Sequence, residues 1–221
     1  MKKVSVVIVA AGEGERFGAP KQFSLLKGKP VLDWSLEKFE NHESVDEIIL
    51  VLKDDERGEK ILTQYKKIAS VVKGGKKRQD SVLEGFNLID PPKAGIVLVH
   101  DAARPLVDAG LISRVIKVTL EKGAAIPALP VEDTVKEVAE QEVLKTLERK
   151  RLFRVQTPQG FFYSVLKEAL EKAQQENYYG TDEAALVERM GKRVYVVQGN
   201  PKNIKITVPE DIKLAEVFLE D

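Results

Sequence analysis

The 221-residue chain contains no cysteine and only two histidines, His42 and His100. The missing thiols exclude disulfides, thiolate metal sites and a cysteine nucleophile. Two histidines leave little material for a histidine-rich zinc site or a Ser-His-Asp triad. The chain also lacks a charge excess, with 35 Lys plus Arg against 35 Asp plus Glu. Because nucleic-acid-binding proteins usually carry a basic excess or stripe, this balance argues against a nucleic-acid partner.

Long hydrophobic runs are missing as well. The N-terminal apolar run, residues 4–11, is cut short by Gly12 and Glu13. It is far shorter than the ~20 residues of a membrane span, and shorter than a usual signal-peptide core with its cleavage region. Hydrophobic residues make up 43% of the chain and charged residues 32%, a mixture typical of soluble globular proteins. We therefore expect a cytoplasmic protein without membrane contact, folded as one domain over residues 1–221.

Short apolar runs alternate with amphipathic segments along the first 130 residues. The pattern predicts strands at 4–10, 47–52, 68–72, 96–100 and 124–129, and helices at 31–39, 57–67, 78–88 and 111–120. The runs are apolar at nearly every position, as in strands that are covered on both faces. The alternation predicts an α/β fold with a Rossmann-like, mostly parallel, doubly wound sheet.

The regular alternation stops at residues 131–150. Apolar residues recur only weakly there, around a polar centre at 139–142, which predicts a two-stranded hairpin with one face too polar to bury. An isolated hairpin is marginally stable, so we expect this protruding arm to pack on another surface, such as a second subunit. Further strands are predicted at 153–156, 194–198 and 204–207, and further helices at 164–175, 182–190 and 209–219.

A glycine-rich loop follows the first strand, at the sheet edge where ligands bind in open α/β folds. Gly12 and Gly14 allow close backbone approach and leave N–H groups free to hold phosphate oxygens. The spacing fits neither a P-loop nor the dinucleotide fingerprint, which excludes an NAD-dependent oxidoreductase. Arg16 and Lys21 supply a planar bidentate cation and a point charge, which suit a triphosphate that is being cleaved. An ordinary glycine-rich turn with two solvated cations is the alternative.

Six motifs, in order along residues 4–215, resemble the 2-C-methyl-D-erythritol 4-phosphate cytidylyltransferases, a family of sugar-phosphate nucleotidyltransferases in the non-mevalonate isoprenoid pathway. The motifs are Ala10-Ala11-Gly12 with Arg16 and Pro20-Lys21, Gly74-Gly75 with Arg78 and Ser81-Val82, Asp101-Ala102-Ala103-Arg104-Pro105, Thr157-Pro158-Gln159, Thr181-Asp182-Glu183-Ala184 and Asn203-Ile204-Lys205. The resemblance implies transfer of CMP from CTP to 2-C-methyl-D-erythritol 4-phosphate, with release of pyrophosphate, by in-line attack of the substrate phosphate on the CTP α-phosphate. At Lys76 the chain departs from the acidic residue that is common in the family.

The resemblance also implies roles for individual residues. It makes Arg16 and Lys21 catalytic; Ala10, Ala11, Gly12, Gly75, Ser81 and Ala102 nucleotide-binding; and Asp101, Thr134, Arg149, Thr157, Thr181 and Lys205 substrate-binding. It implies a Mg²⁺ cofactor, or another divalent cation, that is held largely by the nucleotide and water, with Asp101 as the candidate protein ligand. It further implies a homodimer, in which the arm of one subunit completes the active site of the other.

The residues alone leave other roles open. Ser81 could simply lie within a helix, and Asp101 and Arg104 could be an ion pair that orders a loop. Thr134 and Arg149 could be surface residues of a hairpin, and Thr181 is also a suitable helix N-cap. His100 is better explained by packing at a strand end than by catalysis. Two alternative functions remain: a cytidylyltransferase for another polyol phosphate, such as ribitol 5-phosphate, and a nucleotide-binding regulator without turnover.

Overall fold

The computed structural model describes residues 3–53, 58–90 and 94–220. Its centre is a sheet of eight strands: β1 (Lys3–Ala10), β4 (Glu47–Leu52), β5 (Ile68–Lys73), β6 (Ala94–Asp101), β7 (Ala124–Pro130), β10 (Phe153–Val155), β11 (Gln159–Phe162) and β12 (Tyr195–Gln198). The strand order is β10–β7–β11–β6–β1–β4–β5, and β12 lies beside β7. Two short strands outside this sheet, β2 (Leu25–Leu26) and β3 (Lys29–Pro30), pair with each other.

Seven helices connect or flank these strands in the described part of the chain. They are α1 (Val31–Glu40), α2 (Gly58–Gln64), α3 (Arg78–Phe86), α4 (Ala109–Lys122), α5 (Tyr163–Gln175), α6 (Glu183–Arg189) and α7 (Glu210–Glu220). Short 3₁₀ turns occur at Lys21–Phe23 and Arg149–Arg151. None of the helices in the described ranges has the length and apolar composition of a membrane-spanning segment.

Apolar residues on both faces of β1 explain why the sheet is covered on both sides. Val6 and Ile8 pack with α1 and α4 in one cluster of buried residues, whereas Val7 packs with α3, α5 and α6 in another. Successive side chains of a strand point to opposite faces, so a strand buried on both faces must be apolar at almost every position. The predicted doubly wound, mostly parallel sheet is confirmed.

The direction of the strands changes across the sheet. The pairs β6–β1, β1–β4, β4–β5 and β7–β12 are parallel. The strand β11 lies antiparallel between β6 and β7, and β10 is antiparallel to β7. The sequence pattern did not predict β11, β2 or β3.

Two predicted elements differ from the structure. The segment 204–207 is not a strand, because its main chain makes a single backbone hydrogen bond to the loop after β6, from Ile206 N–H to the Ala103 carbonyl at 2.8 Å. The helix predicted at 57–67 is α2, which is shorter (Gly58–Gln64); its predicted first residue, Arg57, lies outside the described residues.

The predicted arm contains a β-hairpin of β8 (Lys136–Ala139) and β9 (Glu142–Thr146), so a hairpin is confirmed there. Every residue of both strands is exposed. The connecting turn has positive φ at both Glu140 (47°) and Gln141 (72°), as two-residue hairpin turns of type I′ require. The apolar side chains of Val138, Val143 and Leu144 are all more than half exposed, at 53%, 60% and 57%.

Candidate active site

A cavity of about 1030 Å³ opens at the carboxyl ends of the parallel strands β1, β4, β5 and β6. This is the edge at which open α/β sheets bind ligands. Ten of the residues to which the resemblance assigns a role line it: Ala10, Ala11, Gly12, Arg16, Lys21, Gly75, Ser81, Asp101, Ala102 and Lys205. Residues from four separate stretches of the sequence, 10–21, 75–81, 101–102 and 205, therefore meet in one cavity.

The loop after β1 is tied down from within by Gln22. This side chain is buried, and its Nε2 donates to the carbonyl oxygens of Ala10 at 2.8 Å and Gly12 at 3.1 Å. The loop also turns sharply at Gly14, which has φ +73°, and a Cβ there would lie 2.0 Å from the Ala19 carbonyl oxygen. Only glycine fits this position. The loop thus holds Arg16 and Lys21 at the cavity on a constrained backbone.

Gly74 and Gly75 form a second wall, directly after β5. A Cβ on Gly74 would lie 2.3 Å from the Ala11 Cβ and 2.7 Å from the Ser81 Oγ, so the loops can approach this closely only without a side chain. The Ser81 hydroxyl donates to the Lys77 carbonyl oxygen at 3.1 Å within α3. Its oxygen keeps acceptor capacity toward the cavity, so the helical position and a ligand contact are compatible.

Asp101, at the end of β6, is a buried carboxylate that two cations hold in place. Arg78 Nε donates to its Oδ1 at 2.9 Å, and Lys205 Nζ donates to its Oδ2 at 2.6 Å. Burial alone would raise the pKa of Asp101, but Arg78 and Lys205 outweigh it and hold this pKa well below its ordinary value. The carboxylate is therefore ionised at neutral pH.

The Arg104 guanidinium is not an ion-pair partner of the Asp101 carboxylate, so the alternative of an Asp101–Arg104 ion pair is wrong; the two residues are joined by a backbone hydrogen bond, from the Arg104 N–H to the Asp101 carbonyl oxygen at 2.9 Å. The Arg104 guanidinium instead donates to the carbonyl oxygens of Asn203 at 2.8 Å and Val155 at 3.3 Å. This leaves Arg104 joining the loop after β6 to two other chain segments.

Thr157 and His100 support the backbone of Asp101 from behind. The Asp101 N–H donates to the Thr157 Oγ1 at 3.1 Å, and that hydroxyl lies 3.0 Å from His100 Nδ1. The other ring nitrogen of His100 faces the Arg104 carbonyl oxygen at 3.3 Å, which assigns the proton to Nε2 and makes Nδ1 the acceptor. Burial lowers the pKa of His100 to about 3. His100 is thus a neutral packing residue that does not line the cavity.

The cavity is strongly cationic although the whole chain has no net charge. Its eight lining cations are Arg16, Lys21, Lys53, Lys73, Lys76, Lys77, Arg78 and Lys205, against the three carboxylates Glu13, Glu15 and Asp101. Burial lowers the pKa of Lys21, and the positive charges of Lys205 and Arg16 add to this effect. Such a concentration of positive charge suits a polyanionic ligand.

The carboxylates do not form a metal cage. Among the described residues, no group of three or more His, Asp or Glu side chains could hold a metal ion. Both carboxylate oxygens of Asp101 already have cationic partners. The residues therefore fit a Mg²⁺ only if the ion takes most of its ligands from bound phosphates and water, as Mg²⁺ commonly does.

Four residues with expected roles do not line this cavity: Thr134, Arg149, Thr157 and Thr181. Thr157 is buried behind Asp101, whereas Thr134, Arg149 and Thr181 are exposed. Arg149 donates from its guanidinium to the Glu132 carbonyl oxygen at the base of the arm. Thr181 is not the N-cap of α6, because Asp182 takes that position and accepts from the Ala185 N–H at 2.9 Å.

Comparison with known proteins identifies the family. The model of the 2-C-methyl-D-erythritol 4-phosphate cytidylyltransferase family matches residues 4–221. The chain belongs to this family. It is 43% identical over 221 residues to the 2-C-methyl-D-erythritol 4-phosphate cytidylyltransferase of Bacillus cytotoxicus, with 97% of each chain covered.

Solved structures with the same fold agree with this assignment. The 4-diphosphocytidyl-2C-methyl-D-erythritol synthase of Anaerococcus prevotii superposes with a TM-score of 0.88 at 33% identity, over 100% of this chain and 97% of that one. The 2-C-methyl-D-erythritol 4-phosphate cytidylyltransferase of Thermus thermophilus gives 0.83 at 34% identity, over 99% and 100% of the two chains.

Proposed function

We infer that the chain transfers CMP from CTP to 2-C-methyl-D-erythritol 4-phosphate, giving 4-CDP-2-C-methyl-D-erythritol and pyrophosphate. The observation that carries this proposal is the family match over residues 4–221, and ten of the fourteen expected site residues meet in one cationic cavity. The match favours this substrate over ribitol 5-phosphate, and an enzyme over a regulator without turnover. A cytoplasmic location belongs to the same proposal, which rests on a composition typical of soluble globular proteins.

The nucleophile in this reaction is a phosphate monoester, which is already largely a dianion at pH 7 because its second pKa is about 6. One of its oxygens forms a bond to the CTP α-phosphorus, while the bond from that phosphorus to the bridging oxygen breaks and pyrophosphate leaves. No proton has to be removed from the nucleophile. The reaction therefore needs no general base. This agrees with the position of His100, which is neutral and does not line the cavity.

The cations at the first loop carry the catalytic part of the proposal. Arg16 and Lys21 would bind the triphosphate and stabilise the charge that accumulates around the α-phosphate in the transition state. Their positions on the loop that Gln22 braces keep this stabilisation in place before the ligand arrives.

The nucleotide would lie along the loops after β1 and β5. The backbone of Ala10, Ala11 and Gly12 would face the phosphates, and the close approach at Gly75 and Ser81 would receive the cytosine ring. Ala102, buried at the start of the loop after β6, leaves room for the ribose. Asp101 and Lys205 would face the polyol phosphate on the opposite side.

A Mg²⁺ bound to the triphosphate is also proposed. When bound, it would neutralise phosphate charge and withdraw electron density from the α-phosphorus. The CTP phosphates and water would supply most of its ligands, with Asp101 as the nearest buried carboxylate of the chain.

We further propose a homodimer in which the arm, residues 131–150, completes the neighbouring active site. The supporting observations are the full exposure of β8 and β9 and the exposed apolar side chains on them. Thr134 and Arg149 lie outside the cavity of their own chain, so they would contribute to the substrate site of the partner. Thr181, also exposed, and the buried Thr157 would support the same substrate site.

The experiment that tests the function is pyrophosphate release from CTP, with 2-C-methyl-D-erythritol 4-phosphate and ribitol 5-phosphate offered in separate reactions. We expect rapid release with the first and release near the background rate with the second. A preference for ribitol 5-phosphate would overturn the substrate assignment. CTP binding without release with either substrate would indicate a regulator.

A further inference from the structure

Four charged side chains form an unbroken series from the cavity into the interior. Lys205 Nζ lies 2.6 Å from Asp101 Oδ2, and Asp101 Oδ1 lies 2.9 Å from Arg78 Nε. Arg78 NH1 then donates to both oxygens of Glu183, at 2.7 and 3.0 Å. The first three residues line the cavity, whereas Glu183 lies behind them with its side chain 1% exposed.

With Glu183 ionised, the charges of this series alternate in sign and sum to zero; burial raises the pKa of Glu183, and the contact with Arg78 opposes that rise. Burial alone would lower the pKa of Arg78, but Asp101 and Glu183 outweigh it and raise this pKa, so the guanidinium stays charged. Removing Arg78 would leave Lys205 as the ion-pair partner of Asp101, with the more distant charge of Arg104 as the other cation that lowers the pKa of this carboxyl. Because an uncompensated buried charge is costly, Asp101 would then depend mainly on Lys205.

The charge of Arg78 does not stabilise the helix that carries it. Arg78 is the first residue of α3, where a positive charge is unfavourable to the helix dipole. The start of α6 is already fixed without Glu183, because Asp182 caps it and Gln159 accepts from the Ala184 N–H at 3.1 Å. Helix stability therefore does not explain the cation at the start of α3, whereas Glu183, in the first turn of α6, is also favourable to the dipole of its own helix.

We propose that Arg78, backed by Glu183, is a positioning residue that compensates Asp101 so that Lys205 can turn to the phosphate of the polyol substrate. This inference rests on the proposed function. When that phosphate binds, Lys205 exchanges Asp101 Oδ2 for a phosphate oxygen, and Asp101 keeps its charge compensation from Arg78. Without Arg78, Lys205 would stay on Asp101 and the phosphate would bind weakly.

The test is a double-mutant cycle of Arg78→Gln and Asp101→Asn, measured as kcat/KM for 2-C-methyl-D-erythritol 4-phosphate. We expect Arg78→Gln alone to lower this value by about 30-fold, mainly through KM, with the KM for CTP changed less than about threefold. In the Asp101→Asn background no carboxylate holds Lys205, so the same change should cost less than about threefold. Equal losses in the two backgrounds would overturn the proposal.

A second readout keeps the test independent of turnover. The dissociation constant of 2-C-methyl-D-erythritol 4-phosphate, measured calorimetrically in the presence of a non-reactive CTP analogue, should follow the same cycle. Wild-type protein that neither binds this phosphate nor releases pyrophosphate would contradict the proposed function itself. An active wild type whose affinity is insensitive to Arg78→Gln would contradict only the positioning role.

Two further variants control for folding. Arg78→Lys keeps the positive charge but cannot contact Asp101 and Glu183 at the same time, so its affinity for 2-C-methyl-D-erythritol 4-phosphate should lie between those of wild type and Arg78→Gln. If Arg78→Gln does not fold, Arg78→Lys replaces it in the cycle. Arg189→Gln removes an arginine of α6 that pairs with Glu176 at 2.7 Å on the surface, and it should leave all the constants unchanged. A loss of the same size in Arg189→Gln would show that the effect is not specific to the cavity.

Discussion

At the scale of single residues, the cavity combines cations that are free to meet a ligand with cations that are already compensated. Arg16 and Lys21 have no carboxylate within salt-bridge distance among the ion pairs of the described residues, whereas Arg78 and Lys205 share Asp101. The two sets suit different tasks. Arg16 and Lys21 can stabilise new negative charge, whereas Arg78 and Lys205 can hold a buried carboxylate and position a substrate beside it.

Replacing a cation of the first set should reduce the chemical step. We expect Arg16→Ala and Lys21→Ala each to lower kcat by about 100-fold or more, because each removes charge stabilisation at the reacting phosphate. Steady-state pyrophosphate release measures this effect. Lys117→Ala, which removes an exposed lysine of α4, is the matched control and should retain full activity. A variant of Arg16 or Lys21 with wild-type kcat would refute the catalytic role of that residue.

The buried His100 should make stability depend on acid. Its pKa is about 3 in the folded chain against an ordinary value of 6.5, so between these values the unfolded chain binds the extra proton. The free energy of unfolding should therefore fall as the pH drops below 6.5, by up to about 1.4 kcal/mol per pH unit from this residue. Urea unfolding of wild type and His100→Gln at pH 7, 6 and 5 measures it. The variant should show the shallower slope, and parallel slopes would contradict the shift.

The residues that contact the ligand site could be predicted better than the residues behind them. Arg16, Lys21 and Asp101 follow strand ends in recognisable motifs, so their meeting at one sheet edge follows from the fold class. The contact between Arg78 and Glu183 joins residues 105 positions apart, and no periodic pattern links the starts of two helices. The one signal in the sequence was their presence in two of the matched motifs.

At the scale of elements, α3 rests on the sheet through a glycine. A Cβ at Gly85 would lie 2.7 Å from the Val7 Cγ1 and 2.8 Å from the Val51 Cγ2. Because β1 and β4 carry these valines in the fully buried centre of the sheet, they have little room to move. The small residue thus sets how closely α3, with Arg78 and Ser81 on it, approaches the cavity.

Gly85→Ala should therefore destabilise the fold in spite of the better helix propensity of alanine. Overpacking of this kind costs about 1–3 kcal/mol, and the gain in propensity offsets at most about 1 kcal/mol of it. Chemical denaturation measures the net loss. Gly12→Ala is the control for stability, since nothing lies within 4 Å of its added Cβ, and it should change the free energy of unfolding by less than about 0.5 kcal/mol. A stabilised Gly85→Ala variant would mean that the neighbouring valines of β1 and β4 shift to accommodate the added methyl group, which would contradict this account.

The prediction of elements succeeded where burial dictates composition. The strands β1, β4, β6 and β7 have nearly continuous apolar runs at their centres, and the sequence pattern located all of them. It also located β5, although Ile68 is the one residue of that strand that is buried and the strand ends in Lys73. The strand β11 begins with Gln159-Gly160, and glycine at position 160 is needed because a Cβ there would lie 2.4 Å from the Thr119 Oγ1. Packing between α4 and the sheet, rather than local propensity, therefore selects that strand. Conversely, the alternation at 204–207 looked like a strand, but the main chain there makes a single backbone bond to the loop after β6.

At the scale of the whole molecule, the exposed arm is the feature that one chain leaves unexplained. If it completes the site of a partner, damage to Arg16 and damage to Arg149 fall on different sites of a dimer. Arg16→Ala and Arg149→Ala homodimers should each be nearly inactive. Heterodimers would carry one doubly damaged site and one intact site.

Mixing the two variants after dissociation should therefore restore activity. Random pairing makes half of the dimers mixed, each with one working site of two, so about a quarter of the wild-type activity should return across a two-fold interface. Native mass spectrometry establishes that subunits have exchanged. Proven exchange without recovered activity would mean that each site is built within one chain.

The contact between Lys205 and Asp101 also affects how binding of the polyol phosphate should depend on ionic strength. In the exchange proposed above, an arriving phosphate would take Lys205 from the Asp101 carboxylate rather than from bulk solvent, so one ion pair would replace another. Dissolved salt screens exposed charges and affects partly buried pairs much less, and in this pair the Asp101 side chain is 9% exposed and the Lys205 side chain 36%. The affinity for the polyol phosphate should consequently depend less on ionic strength than the number of cations around the cavity implies. The enzyme would then bind this substrate with similar affinity at different salt concentrations in the cell.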